Sequence, residues 1–111
     1  MEDTKDLLKE VQEEIQTLSS DYPEQMKGFH NFLEAVKKDG ALKRKDKELI
    51  AVSLSVASHC KWCIATHVKS ALGSGASKEE IIEASWVATL MGGGPSLMYM
   101  NLVLKALKDY E

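Results

Sequence analysis

At 111 residues the chain has the length of one ordinary domain. Hydrophobic residues make up 44% and charged residues 28%, a balance normal for a globular protein and too apolar for a disordered one. The net charge of −3 argues against a nucleic-acid partner, because binding phosphates needs a basic face. No apolar run approaches the roughly 20 residues of a membrane span. The opening Met1-Glu2-Asp3 shows no basic or apolar leader. A cytoplasmic protein with no membrane partner is expected.

Asp3 or Thr4 is placed to cap a first helix, whose apolar stripe is Leu7, Leu8, Val11, Ile15 and Leu18. Asp21-Tyr22-Pro23 opens a second, with proline tolerated in the first turn. Its stripe is Met26, Phe29, Leu33 and Val36, and Lys37, Lys38 and Gly40 suit its C-terminus. His30, beside Phe29 and Phe32, reads as a partly buried structural histidine. A third helix is expected from Arg44–Asp46 to about Ser58, although its serines and β-branched residues also suit a buried strand. The fourth carries Cys60, Cys63, Ile64, His67, Val68 and Ala71 at helical spacing, and Gly73 and Gly75 stop it.

Ser77-Lys78-Glu79-Glu80 is a capping-box pattern for a fifth helix, which presents Ile81, Ile82, Ser85, Ala88 and Met91. Gly92-Gly93-Gly94-Pro95 breaks it. No lysine with Ser or Thr follows those glycines, so they are not a phosphate loop and read instead as permitting close helix approach. Pro95 opens a sixth helix with Leu97, Met100, Leu104 and Leu107 on one face and Met98, Leu102 and Val103 beside it. A helix apolar on so many sides suggests a partner subunit. The expected fold is one all-α domain over residues 1–111, of about six helices, with a helix hairpin carrying the cysteines.

Cys60 and Cys63 form a single C-x-x-C. A bridge across two residues would remove little chain entropy, so the pair reads as chemical rather than structural. Positions 60, 63 and 67 share one helix face. Cys60 falls at the helix N-terminus, where unpaired N–H groups and the macrodipole favour a thiolate. His67, one turn beyond Cys63, can accept a proton or stabilise the thiolate. Glu48 joins them by helix arithmetic. It lies about 16 Å back along the third helix from a turn near His59, and His67 about 12 Å forward along the fourth. An antiparallel pair brings the two within about a turn of each other, and a carboxylate on an inner face needs such a partner.

Other readings compete. Cys60, Cys63, His67 and Glu48 could together ligate zinc, although adjacent thiols on a regular helix are not the usual knuckle. Plain helix packing is a third option. A thioredoxin motif needs a βαβ setting, and a haem c site needs histidine where Ile64 stands. His59 reads first as a cap or surface residue and Trp62 as a shield, a substrate contact or an interface aromatic. Both are possible accessories to the site.

Glu48, eleven intervening residues, Cys60-Lys61-Trp62-Cys63, three more and His67 together resemble the E-x11-C-x-x-C-x3-H signature of alkylhydroperoxidase D-like proteins, in the carboxymuconolactone decarboxylase superfamily. Lys47–Ala51, Cys63–His67, Gly75–Ile81 and Met91–Pro95 look like that family too, so the resemblance spans about residues 40 to 105. It implies an all-helical homo-oligomer, a trimer or hexamer. It also implies a thiol-dependent peroxidase or disulfide oxidoreductase with an antioxidant role and no cofactor beyond a redox-active Cys60–Cys63 disulfide. Carried over, Cys63 is the peroxidatic residue that becomes a sulfenic acid. Cys60 is proton donor and resolving partner, and Glu48 and His67 relay protons. The partners implied are a small peroxide or disulfide and a dithiol reductant. The family's decarboxylase branch, a lyase, is not associated with a C-x-x-C pair. One position departs: where the family commonly has histidine before the second cysteine, this chain has Trp62, which predicts slow peroxide turnover.

Overall fold

In a computed structural model, which describes residues 2–110, the chain forms six α-helices. They are α1 (Thr4–Asp21), α2 (Pro23–Lys37), α3 (Arg44–Ala57), α4 (Lys61–Gly73), α5 (Lys78–Gly92) and α6 (Gly94–Tyr110). Asp3 is the cap of α1, its carboxylate accepting the Lys5 amide. Ser77 and Glu80 complete the capping box of α5 in both directions. The segment that also suited a strand is the helix α3. Its Ser55 hydroxyl donates to the Ala51 carbonyl one turn back, so the serine does not pull the backbone out of the helix.

α3 packs against both α4 and α5, and α6 closes over α4 and α5 from the other side. The core between them is Val52, Val56, Ile64, Val68, Ala71, Ile81, Ala88, Val103, Ala106 and Leu107. α1 lies across α4 and adds Leu7 and Leu8. Burying each larger side chain contributes roughly 1.5–3 kcal/mol, which makes this seam the main source of stability. The fully buried Thr4 donates its hydroxyl to Asp109, tying the start of α1 to the end of α6.

Several predicted stripes prove wider than the buried seam. Ile15, Met91, Leu97 and Leu104 face outward. On α6 the buried face runs instead through Ser96, Met100, Leu102, Val103, Ala106 and Leu107. A helix apolar on most sides does not reveal from sequence which side meets its neighbours. The expectation for His30 also fails. α2 buries no residue, and Phe29, Phe32 and Val36 remain exposed along with His30, because α2 touches only α1 and the start of α3.

Candidate active site

The site begins in the turn between α3 and α4. Ser58 ends α3, and His59 adopts a left-handed backbone with φ 55°. Its N–H still reaches the Val56 carbonyl, and the Cys60 N–H reaches that of Ser55. This reversal lays α4 antiparallel to α3. The His59 ring stacks on Tyr99 of α6, with centroids 4.7 Å apart, so it is engaged away from the sulfurs.

Cys60 is thereby left at the N-cap of α4 in extended geometry, and its Sγ accepts the Cys63 amide at 3.3 Å. A cap residue normally offers oxygen in that role; here sulfur takes it. The two cysteines are joined by a disulfide, with Cα atoms 5.2 Å apart, within the range such a bond requires. Both are partly exposed.

One turn further, His67 meets Glu48 across the α3–α4 pair, Nδ1 to Oε2 at 3.1 Å. Glu48 is only 1% exposed, and its other oxygen lies 3.4 Å from the Lys37 ammonium at the end of α2. Burial pushes this carboxyl up, but the His67 hydrogen bond and the Lys37 charge outweigh it and hold it below the ordinary carboxylate value. The ionised group can only accept, so Nδ1 carries the proton and Nε2 is free to take one. Among the described residues no hydrogen bond joins His67 to either sulfur.

The disulfide opens on a groove of about 850 Å³, lined by Cys60, Trp62 and Cys63 on one side. On the other stand Glu10, Val11, Glu13, Glu14, Thr17 and Leu18 of α1. The Trp62 indole N–H donates to Glu10 at 3.3 Å. The Lys61 ammonium sits 4.7 Å above the same ring and pairs with Glu2. No three His, Cys, Asp or Glu side chains among the described residues converge on a metal-sized point. No helix among those residues is long and apolar enough to cross a membrane.

A profile of the carboxymuconolactone decarboxylase family matches residues 23–106, most of the chain and all four residues of the site. The chain belongs to that family. A family protein from Legionella pneumophila, solved in its apo form, is 38% identical and superposes with a TM-score of 0.93, covering 96% of each chain. A Thermotoga maritima family protein, described with a suggested part in antioxidative response, is 30% identical with a TM-score of 0.81, over 92% of this chain and 87% of that one. An uncharacterised protein of the cox locus of Paracoccus denitrificans is 42% identical over 66% of each chain, just under two thirds of that relative's length.

Within this family fold, the structure brings Glu48 to His67 and Cys60 to Cys63, sets Trp62 beside the two sulfurs in the groove wall, and leaves His59 stacked on Tyr99. Sequence reasoning passed over Lys37, read there only as a favourable helix end. It also passed over the acidic flank of α1, which carries no motif. The buried position of Glu48 was a signal that more than one partner would be needed.

Proposed function

We propose that the chain is a thiol–disulfide oxidoreductase that reduces a small peroxide through Cys60 and Cys63. The observation that carries this reading is the groove-lining cysteine pair at the start of α4, with an imidazole held by a buried carboxylate one turn beyond. In the reduced protein the Cys63 thiolate attacks the peroxide, the O–O bond breaks, and Cys63 becomes a sulfenic acid while an alcohol or water leaves. Cys60 then attacks that sulfur, water departs and the disulfide closes. A dithiol reductant returns both thiols. His67 carries the proton to the leaving oxygen through Nε2, and Glu48 fixes the ring and stabilises its charged form.

Dimedone labelling of Cys60→Ser after peroxide treatment, read by mass spectrometry, tests the assignment. The expected result is an adduct on Cys63 and no turnover by Cys63→Ser. No adduct, or full activity in Cys63→Ser, overturns it. The name of the matched family supports a second reading, a lyase acting on a lactone acid. Turnover of such a substrate that survives Cys63→Ser would establish it. With Trp62 where the resemblance would place histidine, peroxide turnover is expected to be slow and thiol–disulfide exchange less affected.

A further inference from the structure

We infer that the groove beside Cys60 and Cys63 selects its thiol partner by charge, accepting a small thiol with a cationic group near its sulfur and disfavouring an anionic one. This rests on thiol–disulfide exchange being the chemistry of the pair. The groove's 850 Å³ suits a small molecule. Its lining holds Glu10, Glu13 and Glu14 and no cation. Glu10 bonds a neutral indole, and the Lys61 ammonium, paired with Glu2 and lying over the Trp62 ring, also acts on Glu10, so Glu13 and Glu14 carry most of the groove's negative field. Val11, Leu18 and Trp62 line the same space. The three carboxylates are exposed to solvent, so their field on whatever approaches the sulfurs is a long-range one that salt weakens.

The exchange runs as follows. The incoming thiolate attacks the Cys63 Sγ, the Sγ–Sγ bond breaks, and Cys60 leaves as a thiolate. The Cys63 amide already donates to that sulfur, which makes Cys60 the better leaving group. A second thiolate attacks the small-molecule sulfur of the mixed disulfide and releases Cys63. Two small thiols thus become one small disulfide, and their two protons and two electrons end on Cys60 and Cys63. In both attacks an anionic sulfur must enter past the α1 carboxylates. A neighbouring ammonium offsets that repulsion; a neighbouring carboxylate adds to it.

The test reduces the oxidised wild-type protein with cysteamine, 2-mercaptoethanol and 3-mercaptopropionate, with rates normalised to the thiolate each supplies. The expected order is cation, neutral, anion, spanning about tenfold between the extremes at low salt. It should shrink at about 0.5 M salt, where screening is short-ranged. Glu13→Gln/Glu14→Gln, alone and with Glu10→Gln, should compress the span. Glu24→Gln/Glu34→Gln/Glu83→Gln, which neutralises three acids outside the groove, should retain it. Equal normalised rates in the wild type overturn the proposal. So does a span that survives in the groove variants, because net charge would then be its cause. A disulfide that none of the three thiols reduces refutes the exchange chemistry itself, an outcome distinct from equal rates.

Discussion

Glu48 is a carboxylate inside a helical core, and removing either of its partners should expose what burial costs. Lys37→Met leaves only His67 opposite the charge and is expected to lower stability by about 1–3 kcal/mol, with Lys37→Arg recovering most of it. Urea unfolding of the three proteins checks this. The pH dependence follows from the lowered carboxyl. Its contribution is complete above the ordinary value of 4.5 and is lost as pH falls through the lower folded value. Between those two values wild type should lose stability relative to Glu48→Gln, seen as converging denaturant midpoints. On catalysis, His67→Gln should slow sulfenic-acid formation about 10²–10⁴-fold while leaving the circular dichroism spectrum unchanged.

At the scale of elements, two backbone positions set the directions in which helices enter and leave the site region. His59 holds a left-handed conformation that lets α4 reverse onto α3. Glycine or asparagine tolerates it, whereas His59→Val should cost about 1–2 kcal/mol, read as a lower melting temperature. Gly93, at φ 70° and ψ −151°, occupies a region open essentially to glycine and forms the break between α5 and α6. Gly93→Ala should cost about 1–3 kcal/mol by the same measurement. Gly92 is constrained differently: a Cβ there would lie 2.1 Å from the Ser96 hydroxyl. The expected close approach at the triple glycine therefore exists, but within the α5–α6 corner and against a side chain. The break and the close approach were legible in Gly92-Gly93-Gly94-Pro95, but not which glycine serves which, because the three are equivalent until the corner is built.

For the whole molecule, the accessible surface is 7035 Å², against about 6100 Å² for a compact monomer of this mass. Apolar side chains are exposed in two places. α2 exposes Phe29, Phe32 and Val36, and α5 exposes Trp86, Val87, Leu90 and Met91. Patches of that kind mark surfaces that another protein covers. We propose that a second copy of this chain covers them. Light scattering at micromolar concentration should then report an oligomer, and Leu90→Glu/Met91→Glu should shift it toward the monomer with helicity retained. A monomeric wild type would refute the assembly.

The sequence by itself determined five of the six helices and favoured the sixth, α3, which also suited a strand, since caps, proline and glycine breaks and apolar spacing are local properties. It also determined that Glu48 would face His67, because two helix rises and a turn at His59 leave little choice of register. What only the tertiary structure decided was how the helix faces are shared out. α6 could have buried Leu97 and Leu104, yet its crossing over α4 and α5 buries Val103 and Ala106. The stripe on α2 has the same spacing as a buried one, yet Met26 and Leu33 are only half-buried and Phe29 and Val36 stay exposed. Lys37 reaches Glu48, and the acids of α1 flank the disulfide, only because α2 and α1 dock where they do. Such pairings depend on how separate helices dock on one another, and helical periodicity carries no record of that.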